Sequence, residues 1–444
     1  MLAAHPWFLM VVLAARSAAQ SPVPTPDPVK SWWLSAQVNV IYQWHAAFPA
    51  AYSGTNSLRP DAEHATSHVE TFYSGVRLFG RTEALLDLES TGGGGISQAL
   101  GLAGFTNLDV VRNPTLGSAP YVARALLRTT IGFGTDTEAV TRGPFEVLST
   151  LPTRRLSIAV GKMSLVDFFD VNDAGSDSHE QFLNWTVDNN GAYDYAADTR
   201  GYTIGTLVEY HDRGWALRWA EAVMPTVANG IEYDWHLSQA HADNVELEVD
   251  RGLIPHTEGA IRVLGYVNHA NMGSYREAID AFLAGTDSVP DITAHRQPGR
   301  TKAGVGVNIE QSAGHGIEAF GRAGLTDGQV ESFAYTEVDR ALELGVAWVG
   351  PPWRKQDRLG VAFSNNGLAS DHREYLARGG LGFLLGDGAL NYGPEQIVEA
   401  YYTFAAGLGV SFAVDVQHID HPGYNRDRGP VNVFALRAHL DVPR

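Results

Sequence analysis

The chain has 444 residues, of which 44% are hydrophobic and 18% are charged, and its formal net charge is −18. This acidic balance argues against nucleic acid as a partner, because the phosphate backbone requires a basic protein surface. The absence of cysteine excludes disulfides, thiolate metal sites and cysteine nucleophiles.

The N-terminal residues have the composition of an export signal. Residues 1–19 contain an apolar core at 8–15, too short to cross a bilayer as a helix, followed by a small-residue cleavage site at 17–19. Residues 20–31 carry proline at alternate positions, which favours an extended linker. We therefore predict a signal peptide, a proline-rich linker and a single domain over 32–444.

The rest of the chain alternates between polar and apolar residues. In 301–311, Lys302, Asn308 and Glu310 share one face, whereas Val305 and Val307 lie on the other. A period of two predicts β-strands and is incompatible with a helix. Sixteen such segments are predicted, at 35–45, 67–79, 82–90, 121–134, 154–162, 201–210, 214–223, 243–250, 259–269, 301–311, 316–324, 338–350, 358–366, 395–407, 409–419 and 431–441.

The connections between these segments alternate in length. Those after odd-numbered segments are long and most of those after even-numbered ones are short, with 135–153 as the exception. An even number of strands of about ten residues with this asymmetry predicts an all-β, sixteen-stranded antiparallel outer-membrane β-barrel with long extracellular loops and short periplasmic turns. Short helices are predicted within the long loops at 97–103, 274–283 and 370–377.

Alternation alone does not say which face of the barrel is apolar. A soluble barrel or propeller would place the apolar face inside, whereas a membrane barrel places it against lipid. The even strand count, the loop asymmetry and the export signal favour the membrane barrel. Its water-filled lumen would then contain basic and acidic side chains together, at Arg124, Arg128, Arg218, Arg262, Lys302 and Arg322 and at Glu83, Asp87, Glu310 and Glu399.

Such a lumen has the chemistry that sugars require. Sugars are neutral and polyhydroxylated and have a flat apolar face, so a selective channel needs charged hydrogen-bonding groups beside aromatic surfaces. Tyr73, Tyr266 and Tyr401 lie on the inward face beside the charges. Either of two long loops, 91–120 or 163–200, is a candidate to fold inward and narrow the pore.

Catalytic and metal-binding patterns are weak. Asp170, Asn172 and Asp177 half match a calcium loop, although two expected oxygen donors are missing. Asp167 and Asp170 could form the carboxylate pair of a glycosidase. Neither pattern identifies a site, so we predict no enzyme, no cofactor and no metal beyond this weak calcium alternative.

Several sequence blocks together resemble the OprB-type carbohydrate-selective porins. They occur in order from about residue 33 to residue 440, and the most specific of them are 70–78, 99–105, 160–170, 182–185, 191–198, 391–402 and 424–430. The resemblance implies a sixteen-stranded outer-membrane barrel that passes sugars passively, with loop segments narrowing its pore. It adds as pore-lining or constriction candidates Glu70, Arg77, Asp167, Asp170, Trp185, Asp194, Arg426 and Arg428.

One feature departs from the family pattern. Such barrels usually end in an aromatic residue, whereas this chain's last aromatic residue is Phe434. This predicts either an altered assembly signal or a short tail after the last strand.

The sequence therefore predicts an integral protein of the bacterial outer membrane that contacts lipid and conducts mono- or oligosaccharides. It leaves open whether the barrel forms a homo-oligomer. Two alternatives are a general or ion-selective porin and a secreted carbohydrate-active β-protein, either a hydrolase with paired carboxylates or a soluble sugar-binding protein.

Overall fold

A computed structural model describes residues 30–111 and 116–442. The predicted signal peptide (1–19) and nearly all of the predicted linker (20–31) lie outside the described residues. No helix within those two described ranges is long and apolar enough to cross a membrane.

Sixteen antiparallel strands close into a barrel, in which the first strand pairs with the last. All sixteen predicted strands are present, which confirms the predicted fold class. In chain order the strands are β1 Trp32–His45, β2 Glu63–Phe79, β3 Thr82–Gly93, β4 Tyr121–Gly132, β5 Thr137–Ala139, β6 Thr150–Pro152, β7 Arg155–Met163, β8 Thr203–Asp212, β9 Trp215–Val223, β10 His241–Val249, β11 Gly259–Met272, β12 Gln297–Gly314, β13 Ile317–Thr326, β14 Arg340–Val349, β15 Arg358–Gly367, β16 Glu395–Gly407, β17 Val410–Asp420 and β18 Val431–Val442.

Two of these strands stand apart from the barrel. β5 and β6 form a separate two-stranded sheet in the connection between β4 and β7. This is the connection that the sequence marked as too long for a simple turn. At the closing seam, β18 continues to Val442, which pairs with Ala36 of β1. The last strand therefore extends well beyond Phe434.

The apolar face of the barrel is its outer face. In β14, Leu342, Leu344 and Val346 are 43%, 52% and 48% exposed, whereas Glu343 between them is fully buried. Side chains alternate across a strand, so the buried polar face points into the barrel and the apolar face points out. This arrangement suits lipid and is the reverse of a soluble barrel.

The two ends of the barrel differ. At one end, the short-turn end, most connections are brief, as at 80–81, 213–214, 315–316 and 408–409. At the other, the long-loop end, eight connections named L1 to L8 cover 46–62, 94–120, 164–202, 224–240, 273–296, 327–339, 368–394 and 421–430.

The described parts of the long loops contain three α-helices: α1 Trp185–Asp188, α2 Tyr275–Leu283 and α3 Ser370–Ala377. Two of the three predicted helices, at 274–283 and 370–377, are thus confirmed. The prediction at 97–103 is wrong, because only a short 3-10 turn forms at Ile96–Gln98. The backbone amide and hydroxyl of Ser97 bind Glu63, and Ser97 is left-handed, with φ +49°, which ends regular helix there.

Candidate functional site

L3 folds into the barrel and crosses the lumen. Residues 181–199 are all buried. The loop is held by strands from the opposite wall: the amide of Leu183 donates to Glu399 of β16, and Asn184 donates to Gln417 of β17 at 2.9 Å. Arg437 of β18 binds the carbonyl oxygens of Ser178 and Gln181 at 2.7 and 2.9 Å.

Two buried ion pairs fix L3 to β12 and β13. Lys302 Nζ lies 2.9 Å from Asp194, whose carboxylate also accepts from the amide of Phe333. Arg322 Nε lies 3.1 Å from Asp170, and Arg322 donates to the carbonyl oxygen of Val187 at 2.7 Å. A buried charge is tolerable only when it is paired and hydrogen-bonded, so these contacts define one position for the loop.

L2 folds inward beside L3. The amides of Ala103 and Gly104 donate to the buried carboxylate of Glu395 at 3.1 and 2.7 Å. Trp185 donates from Nε1 to the carbonyl oxygen of Asn107 at 2.8 Å, which joins the two loops. Parts of both predicted inward-folding loops, 96–110 of L2 and 181–199 of L3, are therefore inside the barrel.

The wall next to L3 carries a row of ion pairs toward the short-turn end, in which most of the charged residues bind more than one partner. We call it the ion-pair row. Arg218 of β9 contacts three carboxylates, those of Glu209, Glu246 and Glu248, at 2.5, 3.0 and 2.9 Å. Arg262 of β11 joins Glu248 at 2.7 Å to Glu310 at 3.0 Å.

The row continues on β4. Arg128 binds Glu83 at 2.7 Å and Glu146 at 2.9 Å. Glu146 lies in the β5–β6 connection, and burial raises its pKa to about 7 against the opposing charge of Arg128. The amide of Val147 also donates to Glu83 at 2.8 Å, which holds this connection inside the barrel mouth.

Arg124 lies where this row meets L3. It forms a bidentate pair with Asp167 of L3, through two hydrogen bonds of 2.6 Å, and lies 3.6 Å from Asp87. Its guanidinium is 4.7 Å from the ring centre of Phe145 and 5.3 Å from that of Tyr202. A planar cation between carboxylates and aromatic rings can bind a hydroxyl group while an adjacent ring contacts an apolar face.

A cavity of about 360 Å³ lies between L3 and this wall. Its lining includes four arginines, Arg128, Arg155, Arg218 and Arg262, together with Glu146, Glu209, Glu248, Phe145 and Phe168. Donors and acceptors therefore alternate around a space that also offers aromatic surface. Such a lining suits a neutral solute rich in hydroxyl groups.

The structure separates the eighteen candidates into three groups. Eight belong to the ion-pair row or its edge: Glu83, Asp87, Arg124, Arg128, Asp167, Arg218, Arg262 and Glu310. Seven are buried anchors of the inward-folded or long loops: Asp170, Trp185, Asp194, Lys302, Arg322, Glu399 and Arg428. The remaining three, Glu70, Arg77 and Arg426, lie elsewhere.

Glu70 contradicts the prediction that every candidate lines or narrows the pore, whereas the buried anchors hold the loops that narrow it. Glu70 is on the outer face of β2, beside His68 at 2.9 Å and next to the exposed Phe72. Arg77 is exposed at the short-turn end, and Arg426 is exposed in L8. Arg428 is buried among L1, L7 and L8, where it donates to Ser53 at 2.9 Å and lies 3.5 Å from Asp387.

The calcium pattern has a different role in the structure. Asp170 pairs with Arg322, the amide group of Asn172 donates to Asn308 at 2.9 Å, and Asp177 accepts from the amide of His179 at 3.0 Å. In the part of the chain that the structure describes, no group of three or more His, Cys, Asp or Glu side chains could hold a metal ion.

Sequence reasoning missed several lining residues. Glu209, Glu246 and Glu248 lie on the inward faces of β8 and β10, and alternation within those predicted strands would have placed them there. Phe145 and Glu146 lie in the connection at 133–154, whose inward fold has no periodic signal.

The contact between L3 and L2 depends on protonation of His179. Its Nε2 lies 3.6 Å from Asp109 and its Nδ1 lies 3.7 Å from Asp177. Burial alone would lower the pKa of His179, but the two carboxylates outweigh it and raise the pKa from 6.5 to about 9. Burial alone would raise the pKa of Asp177, but His179 outweighs that effect and lowers the pKa to about 2.

Because the pKa of His179 is raised, the protonated ring stabilises the folded contact fully below pH 6.5. This stabilisation is lost as the pH rises through about 9. We therefore expect single-channel conductance to rise as the pH increases from 6.5 to beyond 9, because L3 loosens. A His179→Gln variant should show a flatter profile. An identical pH profile for the variant and the wild type would contradict this role.

The comparisons with known proteins agree with this architecture. The carbohydrate-selective porin, OprB family, matches residues 86–441, which is most of the chain. The chain belongs to this family. A structure of Pseudomonas putida OprB at high pH is similar, with a TM-score of 0.68 and 12% identity over 93% of this chain and 94% of that one. The outer-membrane channel DcaP of Acinetobacter baumannii has a TM-score of 0.49 and 11% identity over 92% of this chain and 96% of that one. No curated protein matches the chain.

The protein is thus a porin, a passive carbohydrate-selective channel integral to the bacterial outer membrane. In such barrels the long loops face the exterior and the short turns face the periplasm. The cavity beside the ion-pair row therefore lies on the periplasmic side of L3.

Proposed function

We propose that mono- or oligosaccharides cross this porin between L3 and the ion-pair row, and that Arg124 marks the narrow point of the path. The observation that supports this most is the row itself: Arg128, Arg218 and Arg262 each bind at least two carboxylates. A hydroxyl group can replace one of several partners of an arginine without leaving that arginine unpaired. Sugars can then move along the row by exchanging hydrogen bonds.

The pairing within the row disfavours an anion-selective channel. Arg128, Arg218 and Arg262 are each paired with two or more carboxylates, so no unbalanced positive charge is available there to select anions. The geometry also disfavours the glycosidase alternative. Asp167 pairs with Arg124 and Asp170 with Arg322, and Asp170 is 2% exposed, so these two carboxylates do not flank a shared open space.

The test uses the mature protein in planar bilayers, with single-channel conductance measured while sugars of increasing length are added. We expect saturable block of the wild-type channel. For Arg124→Ala, half-maximal block should require about tenfold more sugar, because charge-assisted hydrogen bonds contribute more than 1.4 kcal/mol each. The barrel itself should remain closed, since no strand pairing involves this side chain.

Arg213→Ala is the matched control, because Arg213 is 69% exposed at the short-turn end. This control should keep wild-type sugar block. Unchanged block in Arg124→Ala would remove Arg124 from the path, and channels without any sugar block would favour the general-porin alternative.

A further inference from the structure

A second cavity, of about 250 Å³, lies on the outer surface of the barrel. It is at the long-loop end of β14 and β15, where L7 returns to β16. Its lining includes Arg340, Leu342, Asn365, Arg373 and Tyr392. None of these residues faces the lumen path described above.

Strand alternation shows that this cavity opens on the outer face of the barrel. Glu343 of β14 points inward, where it accepts from the amide of Gly191 at 3.1 Å. Arg340 lies three positions earlier and therefore points outward, on the same face as Leu342 and Leu344. Both leucines are substantially exposed, as lipid-facing residues are.

The two arginines of this cavity lack the carboxylate partners that arginines have in the lumen. Among the described residues, no carboxylate forms an ion pair with Arg340 or Arg373, whereas nearby Arg276 and Arg378 are paired with acidic residues of α3. The lack of partners is notable in a chain with a net charge of −18. Two guanidinium groups without a carboxylate partner, both lining one cavity, can attract an anion.

Arg373 is held in position for this role. Its Nε donates to the carbonyl oxygen of Leu368 at 2.8 Å, and its guanidinium lies 4.1 Å from the ring centre of Tyr392. Gly367 stands opposite Arg340 in the register, and a side chain there would meet the hydroxyl of Tyr392 at 3.3 Å. A side chain there would crowd both Tyr392 and Arg340, so the glycine keeps this part of the cavity open.

The position of Arg340 along the membrane normal indicates which kind of anion the two arginines would bind. β14 runs from Arg340 to Val349 at the short-turn end. Nine steps of about 3.4 Å give a strand of about 30 Å, or about 23 Å along the membrane normal at a tilt of about 40°. The apolar band of such barrels is about 25 Å tall, so Arg340 lies at the outer boundary of the hydrocarbon, where lipid headgroups begin.

We propose that Arg340 and Arg373 bind the phosphate group of a phosphorylated lipid in the outer leaflet, with an acyl chain lying over Leu342 and Leu344. Charge complementarity selects the phosphate, and the continuous exposed apolar surface below it selects a lipid over a soluble anion. Asn365, on the same outer face, supplies a further hydrogen-bonding group beside the phosphate.

The experiment measures lipid retained by the full-length porin after purification from mixed micelles. The probe is a bis-phosphorylated, hexa-acylated glucosamine disaccharide lipid, and the same lipid without phosphates is the chemical control. We expect the wild type to retain the phosphorylated lipid and Arg340→Gln/Arg373→Gln to bind it at least about tenfold more weakly.

Arg81→Gln/Arg251→Gln is the matched variant, because it removes two exposed arginines at the short-turn end and changes the net charge equally. It should retain the lipid as the wild type does. Heat-modifiable gel mobility and unchanged conductance would show that each variant is folded. Equal retention by both double variants, or equal retention of the lipid without phosphates, would overturn the proposal. Displacement of the lipid by millimolar inorganic phosphate would also overturn it, in favour of a free-anion site.

Discussion

Arg322→Met is expected to release L3 from the barrel wall. The substitution leaves Asp170 buried without its cation, and breaking such a pair typically costs about 3–5 kcal/mol. Arg322 is 1% exposed and also binds Ser176 and the carbonyl oxygen of Val187, so three attachments of the loop are lost together. Single-channel conductance should rise, sugar block should weaken, and the thermal unfolding midpoint should fall.

The double variant Arg322→Met/Asp170→Asn distinguishes the effect of an unpaired buried charge from a general loss of stability caused by the Arg322 substitution. Asp170 has a left-handed backbone with φ +60°, which asparagine tolerates. Asparagine also removes the unpaired charge while it can still accept from the amide of Asn190, as Asp170 does at 2.7 Å. The double variant should therefore recover much of the lost stability. If the single variant keeps wild-type conductance and sugar block, the ion pair does not position L3.

Arg218→Gln is expected to make the channel cation-selective. Arg218 is the common partner of Glu209, Glu246 and Glu248, so its removal leaves negative charge exposed to the path. Reversal potentials across a salt gradient should shift toward the cation potential, with a several-fold rise in the cation-to-anion permeability ratio. The shift should be largest near 0.1 M salt, where the Debye length is about 10 Å, and small near 1 M, where it is about 3 Å.

Arg218→Gln/Glu248→Gln is the charge-matched control, because it restores the net charge of the cluster. Its reversal potential should return toward the wild-type value. An unchanged reversal potential in Arg218→Gln at low salt would show that ions do not pass this cluster, and the proposed path would then have to lie elsewhere in the lumen.

The barrel could be predicted from the sequence because alternation is a local property. Lys302, Asn308 and Glu310 share a face in any β-strand, whatever surrounds it. The partners of these residues could not be predicted in the same way. Lys302 pairs with Asp194, 108 positions earlier, and that pairing depends on how L3 folds inside the closed barrel.

The orientation of Glu70 could also be predicted from strand alternation. The sequence already places Tyr73 on the inward face, and Glu70 lies three positions earlier in the same strand. An odd separation puts the two on opposite faces, so alternation alone assigns Glu70 to the outside. The resemblance identified the block that contains Glu70, but it carried no information about which way each side chain points.

The attachment of L3 to the far wall also constrains the order in which the chain can fold. The loop ends at residue 202, yet its anchors Arg322, Glu399 and Arg437 belong to β13, β16 and β18. L3 joins β7 to β8, and none of these three anchor strands is next to β7 or β8 in the barrel. L3 can therefore reach its final position, and narrow the pore, only after the sheet that links β7 and β8 to β13, β16 and β18 has formed.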